Sequence, residues 1–360
     1  MKTKVIALYL PQFHEIKENN EWWGNGFTEW TNVKNAQKYT SKQRQPRVPL
    51  NNNYYDLSKK KDIYHQSKIA KDYGIDGFCI YHYYSIGKKL LEKPAEIIRD
   101  NKDIDIEYFF SWANHDWRRV WASSSKEILR KQEYGSDKEI IEHFKYLLTF
   151  FKDDRYIKID NKPVFAIYQN IEKETFQKIY DIWDKMSKEE GFDGIYWIGT
   201  LSNVNSNFDV QMNNYFRFEP NYTRSKLNKN VIIYQKAKQK IYSILNKKII
   251  KRPYSFDYKF ICKNILNTSK YDKDNLLGIF TGWDNTPRYK NNGYYYINES
   301  PKTFEVYFKQ QLELSIKNNN YFVFINAWNE WGEGAYLEPD NEYGYSYLES
   351  IKRAKLACSK

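Results

Sequence analysis

Two glutamates near the end of the chain, Glu330 and Glu333, have the spacing that paired acid–base catalysis uses. They lie three residues apart among tryptophans and glycines, directly after the apolar run from Tyr321 to Ile325. On a helical turn, side chains with this spacing share one face, with Cβ atoms about 5–6 Å apart. That approaches the separation of roughly 5–5.5 Å between the carboxyl groups of retaining glycosidases. Carboxyl groups this close cannot ionise independently, so the pKa of one rises and the pair can supply both an acid and a base.

The alternative interpretation of this motif is structural, since acids at the start of a helix stabilise its N-terminal dipole without any part in catalysis. The neighbouring indole rings favour catalysis, because the CH-rich faces of sugars stack on aromatic rings. Of the eleven tryptophans, eight lie in the short segments 22–30, 112–121 and 328–331. This clustering indicates a site that binds sugar.

The elements that must position these residues follow from an alternation of short apolar runs and longer amphipathic stretches. The apolar runs predicted as strands are Val5–Leu10, Gly77–Tyr83, Ile106–Trp112, Val164–Tyr168, Ile195–Gly199, Val210–Phe216, Gly278–Trp283 and Tyr321–Trp328. Helices are predicted at Asp62–Tyr73, Lys138–Phe151, Phe176–Glu190 and Thr303–Asn318. Continuous apolar strands indicate burial on both faces, hence a parallel sheet under helices. Eight such units predict an α/β fold, one (β/α)₈ TIM barrel over residues 1–360 with inserted loops.

A doubly wound open sheet is the rival fold, and glycosyltransferases with nucleotide-sugar donors commonly use one. It would place a glycine-rich phosphate-binding turn after an early strand. The sequence contains no G-x-G-x-x-G motif and no P-loop, and the segment Asp103-Ile104-Asp105 precedes a predicted strand instead of following one. The barrel is therefore preferred, and a barrel carries its active site at the carboxyl ends of its strands.

Polar and aromatic residues recur directly after the predicted strands. The candidates for substrate binding are His14, Glu29, Trp30, Tyr81, His82, Trp112, Asn114, Trp117, Trp283, Asp284, Asn285, Trp328 and Asn329. Glu29 is interpreted either as a further carboxylate of the site or as a salt-bridge partner. His14 and His82 are interpreted as hydrogen-bond partners of sugar hydroxyls. A metal centre is the alternative, but the histidine spacings match no metal motif, so no metal is expected.

Cysteine usage and hydropathy predict a cytoplasmic protein. The three cysteines (Cys79, Cys262 and Cys358) are far apart and odd in number, so they form no disulfide framework and no Cys-x-x-Cys metal site. A reducing compartment is the natural inference. The N-terminal apolar run ends at Pro11 and is too short for a signal peptide. No window approaches the roughly 18 apolar residues that a membrane span needs.

The net charge of +12 is concentrated in a basic insertion at about residues 224–270. Between Arg224 and Arg252 there are ten Lys or Arg residues and no acid. Apolar residues recur there at helical spacing: Tyr234, Ala237, Ile241, Leu245 and Ile249. The pattern fits a solvent-facing helix with a lysine-rich face, which is preferred, and the alternative is a helix in peripheral contact with a membrane. Nucleic acid is not expected as a partner, because no recognised binding motif accompanies the charge.

Several motifs resemble those of WbsX-type polysaccharide-biosynthesis proteins. They are LPQFH at 10–14, WWGNGFTEW at 22–30, FCIYHY at 78–83, LLEKP at 90–94 and GWDNT at 282–286. The segments NEWGEG at 329–334 and LEP at 337–339 also resemble glycoside hydrolase family 99. The resemblance covers most of the chain apart from the basic insertion.

The resemblance to family 99 implies a (β/α)₈ barrel and a retaining mechanism on α-mannoside-like bonds, without metal or other cofactor. In that mechanism one carboxylate deprotonates the sugar 2-hydroxyl, which attacks C1 and forms a 1,2-anhydrosugar. The other protonates the leaving oxygen and then activates the acceptor. Carried over, the resemblance makes Glu330 the base and Glu333 the acid/base, and implies an oligosaccharide or polysaccharide substrate belonging to a surface polysaccharide or its precursor.

Two departures from the family pattern bear on the site. Residues 113–117 read ANHDW where family members tend to read Ala-Asn-Glu-Asn-Trp, and Gly332 lies where the hydrolases often carry histidine. WbsX-type proteins are commonly labelled glycosyltransferases. Two alternatives therefore accompany the expectation of a glycosidase or transglycosylase. One is a donor-dependent glycosyltransferase of O-antigen or capsule biosynthesis, and the other is a sugar-binding barrel without catalysis.

Overall fold

A computed structural model describes residues 3–118, 127–227 and 253–359, with positions 233, 234, 237, 241 and 244 between them. In the described residues, eight parallel strands form a barrel. They are β1 (Lys4–Tyr9), β2 (Gly77–Ser85), β3 (Glu107–Trp112), β4 (Lys162–Ile167), β5 (Tyr196–Leu201), β6 (Asn214–Arg217), β7 (Leu277–Phe280) and β8 (Phe322–Asn326). Their buried faces are almost wholly apolar, as burial between an inner core and an outer ring of helices requires.

The strands are ordered β6-β5-β4-β3-β2-β1-β8-β7 around the sheet, so each strand pairs with its neighbours in sequence and β1 pairs with β8. The seam between β6 and β7 closes the barrel through an isolated parallel bridge between Phe216 and Leu276. Within the described part of the chain, two backbone hydrogen bonds cross this seam: Arg217 N to Leu276 O (3.1 Å) and Leu276 N to Tyr215 O (2.7 Å). Gly278 permits the approach, because a Cβ there would overlap the carbonyl oxygen of Arg217.

Helices cover the outside of the barrel and fill the loops at its carboxyl end. They are α1 (Lys17–Trp23), α2 (Glu29–Lys34), α3 (Lys60–Asp72), α4 (Lys93–Asp100), α5 (Asp137–Phe151), α6 (Lys173–Glu189), α7 (Asn221–Lys226), α8 (Tyr258–Ser269), α9 (Thr286–Tyr289), α10 (Pro301–Lys317) and α11 (Ser346–Cys358). The N-termini of two helices show common capping residues. In α5 the side chains of Ser136 and Glu139 form a capping box, and α10 begins with Ser300 as its cap followed by Pro301.

Short elements complete the structure. The 3₁₀ turns are Leu50–Asn52, Lys290–Asn292 and Trp331–Glu333, and the short strands are Lys88–Leu90, Trp117–Arg118, Ile128–Arg130, Lys158–Ile159, Tyr254–Asp257, Tyr294–Ile297, Asn329–Glu330 and Ala335–Tyr336. Tyr254–Asp257 and Tyr294–Ile297 pair in parallel beside the barrel. Together with α8 they enclose a second, smaller apolar cluster around Tyr258 and Phe280.

The predicted barrel is confirmed, and each of the eight predicted strands overlaps an observed one. The four predicted helices correspond to α3, α5, α6 and α10. That residues 1–360 form one domain stays a prediction. No helix in the described part of the chain is long and apolar enough to cross a membrane. Most of the basic stretch 228–252 lies outside the described residues, and the membrane contact stays a prediction.

Candidate active site

A cavity of about 790 Å³ opens at the carboxyl end of the barrel. Its wall comes from the residues that end or follow seven of the eight strands, β5 being the exception among the described residues. Glu330 and Glu333 belong to this wall, together with tyrosines, tryptophans and amides. The polar residues of the site therefore lie in the loops at the carboxyl ends of the strands, outside the packed core of the barrel.

The two glutamates share one guanidinium. Glu330 ends the short strand Asn329–Glu330, and Glu333 ends the 3₁₀ turn that follows. Arg288 donates from Nη2 to Glu330 Oε2 (2.9 Å) and lies with Nη1 2.8 Å from Glu333 Oε1. Its Nε donates to Glu29 Oε1 at 2.8 Å. Glu330 precedes the 3₁₀ turn with a non-helical backbone (φ −79°, ψ 62°), so the helical face expected for the pair is not what joins the two residues. Their carboxyl groups meet on the guanidinium of Arg288 instead.

Burial governs the protonation of this cluster. Burial raises the pKa of Glu330 to about 8. The positive charge of Arg288 lowers this pKa, and the negative charges of Glu333 and Glu29 raise it further. The pKa of Glu333 is also raised, again chiefly by burial. The side chain of Glu330 is 8 % exposed and that of Glu333 is 17 %, so Glu333 is the more accessible to a leaving group. The pair therefore retains a proton near neutral pH and titrates as a unit.

Glu29 lies beneath the carboxylate pair. It is fully buried in the first turn of α2, and its ion pair with Arg288 makes it the salt-bridge partner that was one of the two expectations. A side chain at Gly332 would overlap Glu29 Oε1, since the carboxylate fills the space where a Cβ would be. The departure at position 332 is therefore matched by the inward side chain of Glu29.

Aromatic rings form the rest of the wall. Trp283 stacks on Tyr294 with centroids 5.8 Å apart and an interplanar angle of 18°. Trp117 meets Tyr83 edge-on at 5.1 Å. Such flat apolar surfaces beside amides and carboxylates suit a ligand with CH-rich faces and a rim of hydroxyls. In the described residues, no group of three His, Cys, Asp or Glu side chains could hold a metal ion.

Of the predicted substrate-binding residues, five line the cavity: Tyr81, Asn114, Trp117, Trp283 and Asn285. Two of these also fix loops. The amide of Asn114 donates to Gln169 O (2.8 Å) and accepts from Gln169 N (2.8 Å), which ties the loop after β3 to the loop after β4. The Asn285 side chain accepts from Tyr294 N at 2.8 Å.

The predicted histidine contacts are corrected by the structure, since neither ring reaches the cavity. His82 Nε2 shares a 2.8 Å hydrogen bond with His143 Nε2 of α5, and burial lowers the pKa of His82 to about 3. His14 Nδ1 bonds the carbonyl oxygen of Pro11 at 3.0 Å, and burial lowers its pKa to about 4. Both are neutral rings within the fold instead of sugar ligands.

Three predicted tryptophans also lie outside the cavity wall. Trp30 Nε1 donates to Tyr55 O (2.8 Å), and Trp112 Nε1 donates to Tyr84 O (3.0 Å). Trp328 is fully buried and packs against Phe78 in the barrel core. The three rings pack inside the protein, so they stabilise the residues around the site and do not line the cavity.

Asp284 and Asn329 position the loops of the site from behind. Asp284 accepts from Gln43 Nε2 (2.7 Å) and from the backbone of Thr286 (3.0 Å), which starts α9 and so aims Arg288. Asn329 accepts from Leu10 N (2.7 Å) and donates to Leu10 O (2.9 Å), joining the loops after β1 and β8. Neither lines the cavity, so the expectation of direct sugar contact is replaced by a positioning role.

Sequence reasoning missed several residues of the wall. They include Gln132, Tyr134, Tyr168, Gln169, Asn170, Asn221, Arg224, Tyr289 and Tyr294. Tyr168 directly follows β4, so its position was a usable signal. Tyr83 and Arg288 also line the wall; the sequence places both with the polar and aromatic residues that follow predicted strands, but it assigns them no role. Tyr294 carried no such signal, because it belongs to a strand outside the barrel.

Comparison with known proteins places this site in a family. Residues 5–351 match the family described as Glycosyltransferase WbsX. The chain belongs to the WbsX family. It is 28% identical over 359 residues to the protein WxcX of Xanthomonas campestris pv. campestris strain B100, a match that covers 97% of this chain and 49% of the relative. The chain therefore spans about half the length of the curated relatives it matches, and the WbsX resemblance is confirmed.

Solved structures share the fold of this WbsX member. The family 99 endo-alpha-mannosidase of Bacteroides thetaiotaomicron has a TM-score of 0.60 at 11% identity, covering 99% of this chain and 97% of that one. A glycoside hydrolase-like protein has a TM-score of 0.58 at 14% identity, with 98% and 94% covered. At these identities the likeness concerns the barrel alone.

Proposed function

We propose that this WbsX protein is a carbohydrate-active enzyme that cleaves or transfers α-mannoside-like bonds of a surface polysaccharide or its precursor, with retention of configuration. The observation that carries the proposal is the pair Glu330 and Glu333 on one guanidinium, with raised pKa values, in an aromatic cavity. Paired carboxyl groups with separated protonation states are what glycosidic acid–base chemistry needs. The named activity of the Bacteroides structural neighbour supports the choice of bond.

The reaction runs in two steps. The pair titrates as a unit, and the reaction starts from the form in which Glu330 is ionised and Glu333 holds the shared proton. Glu330 takes the proton of the sugar 2-hydroxyl, O2 attacks C1, and the bond from C1 to the leaving oxygen breaks as that oxygen takes the proton of Glu333. In the second step Glu333 deprotonates water or a sugar hydroxyl, which attacks C1 and opens the 1,2-anhydrosugar. O2 then recovers its proton from Glu330. Arg288 stabilises whichever carboxylate is charged, since it bonds both.

The test compares E330Q and E333Q with wild type on α-mannoside oligosaccharides, following product anomers by NMR. The product of the wild-type enzyme is expected to have the same anomeric configuration as the substrate. Each variant is expected to lose about 10²–10⁴-fold in kcat/KM. An aryl leaving group should rescue E333Q but not E330Q, because it departs without a proton. A substrate lacking the 2-hydroxyl should be inert.

The matched control is E313Q, a change of a half-exposed glutamate on α10 whose ion pair in the described part of the chain is with surface Lys309. It is expected to retain wild-type turnover. An inverted product would overturn the roles of Glu330 and Glu333, and so would full activity of both glutamine variants.

A second candidate, donor-dependent transfer, is favoured by the description of the family. It predicts that activity requires a nucleotide-linked or lipid-phosphate-linked sugar and that no oligosaccharide is hydrolysed. A third outcome, binding of oligosaccharides with no turnover by any variant, would indicate a sugar-binding barrel. Cytoplasmic location and membrane contact through the basic insertion stay predictions beside these.

A further inference from the structure

The charges in the cavity wall are not all compensated. Arg118 pairs with Asp116 (2.9 Å), and Arg288 pairs with three glutamates. Arg224 also lines the cavity, and among the described residues no carboxylate lies within 4.0 Å of it. The positions outside the described residues contain no Asp or Glu, so they cannot supply the missing partner. Arg224 is thus the cavity cation that no acid of the chain neutralises.

The guanidinium of Arg224 is held by an aromatic ring. Arg224 lies in α7, directly after β6, and its guanidinium carbon is 4.4 Å from the centroid of the Tyr294 ring. Tyr294 is fixed in turn, because its hydroxyl donates to Asn221 Oδ1 (3.0 Å) and its ring stacks on Trp283. Arg224 Nε is buried without a hydrogen-bond partner among the described residues. A ring orients a cation but does not neutralise it, so the positive charge of Arg224 remains available to an anion.

Arg224, Tyr294 and Glu333 line the same cavity. Both Arg224 and Glu333 act on the phenol of Tyr294. Its pKa is raised mainly by burial, Arg224 opposes the rise, and Glu333 adds to it. Tyr294 therefore lies against the unpaired cation and within electrostatic reach of the proposed acid/base. In the proposed reaction Glu333 lies on the side of the leaving group and the acceptor.

We infer that Arg224 binds an anionic group of the substrate, a carboxylate or a phosphate, on the leaving-group side of the bond that is cleaved. The inference rests on the proposed function and narrows its substrate to acidic glycans or to sugars carried on a phosphate. A guanidinium matches both groups with two parallel hydrogen bonds, which a neutral sugar cannot offer. The Trp283 and Tyr294 rings would contact the sugar next to the anion.

The experiment measures Kd by titration calorimetry on the full chain for three matched ligands. These are a neutral α-mannosyl disaccharide, the same disaccharide ending in a uronate, and α-mannosyl diphosphate on a short prenyl alcohol. Wild type is expected to bind at least one anionic ligand about tenfold or more tightly than the neutral one. The better of the two anionic ligands identifies the source of the charge.

The decisive variant is R224Q, which should weaken binding of the preferred anion by about tenfold to a hundredfold and change neutral binding by less than about threefold. R224K should retain more affinity for a phosphate than for a carboxylate, because lysine supplies a point charge and not a fork. The control R353Q removes the same net charge at an exposed site that pairs with Glu305 on the surface, and should change none of the three Kd values. Binding of the neutral disaccharide by R224Q also shows that the cavity of this variant is correctly folded.

Two results would overturn the inference: no preference of wild type for either anion, or equal loss of neutral and anionic binding in R224Q. If the protein turned over a neutral α-mannoside with retention of configuration but showed no preference for an anion, the inference about Arg224 would fall and the proposed function would stand. If anion binding depended on Arg224 but neither wild type nor any variant cleaved a substrate, the inference would stand and the proposed function would fall.

Discussion

Arg288 is the residue on which the chemistry of the site depends. One guanidinium touches three carboxylates, so a fully ionised cluster would carry a net charge of −2 in a buried place. Burial of unbalanced charge is costly, and protonation of a carboxyl is the cheapest relief. The cluster therefore keeps a proton because three carboxylates share one guanidinium. With one carboxyl group protonated and another ionised, two residues of the same type can act as an acid and a base.

The same proton makes stability depend on pH. Burial raises the pKa of Glu330 from its ordinary 4.5 to about 8, so the folded protein binds this proton more tightly than the unfolded chain does. Wild-type stability should then fall as pH rises from 4.5 to 8, because the unfolded state increasingly gains by ionising. E330Q cannot ionise. We expect it to match wild type below about pH 5 and to exceed it by a few kcal/mol above pH 8.

Thermal unfolding at pH 5, 7 and 9 checks this expectation, with E313Q as the exposed control that should follow wild type throughout. If E330Q were the less stable protein at pH 9, its ion pair with Arg288 would outweigh the cost of burying the charge, and the sign of the argument would be wrong.

At the scale of elements, the turn Trp331–Glu333 and helix α2 are fitted to each other. Gly332 leaves space that the carboxylate of Glu29 fills, and Glu29 in turn anchors Arg288. The two positions are distant in sequence but in contact, so substitutions there should not be additive.

G332A is expected to destabilise the protein by about 1–3 kcal/mol, because the new methyl group overlaps the Glu29 carboxylate and must displace it. Removing that carboxylate in E29A/G332A should relieve the overlap. The double variant should then be more stable than the sum of the single changes by about 0.5–3 kcal/mol. Urea unfolding of all four proteins measures the coupling. Strict additivity would show that the methyl group is accommodated by a shift elsewhere.

The β2 strand shows why the site was only partly predictable. Tyr81, His82 and Tyr83 are consecutive, and side chains alternate between the two faces of a strand. Tyr81 and Tyr83 reach the cavity, whereas His82 faces outward to His143 of α5. Position after a strand identified the right segment, but the face had to come from three-dimensional pairing. The Glu330 and Glu333 pair was predictable because the two residues are close in sequence, whereas Arg288 and Tyr294 join it only through the fold.

At the scale of the whole molecule, the barrel followed from the sequence because its strands are continuous apolar runs in consecutive order. What the pattern could not give is how the barrel closes. Closure between β6 and β7 depends on a single bridge and on Gly278, whose lack of a side chain lets the carbonyl of Arg217 approach. Such a contact leaves no periodic signal in the sequence.

G278A should therefore cost about 1–3 kcal/mol or more, because a methyl group would overlap the backbone of the neighbouring strand, which cannot rotate away. The matched control is G282A, where a new Cβ would meet nothing closer than 3.3 Å. Free energies of unfolding from urea titrations compare the two. Equal stability of both variants would mean that the seam adapts to the added volume.

The narrow seam has a consequence for motion. Local opening proceeds where the fewest bonds must break, so the amide protons of Arg217 and Leu276 should exchange with solvent ahead of those in β1 to β4. Arg224 follows β6 and Arg288 follows β7, so opening of this seam should move the unpaired cation away from the carboxylate pair. A ligand that spans both arginines should then slow amide exchange across the seam.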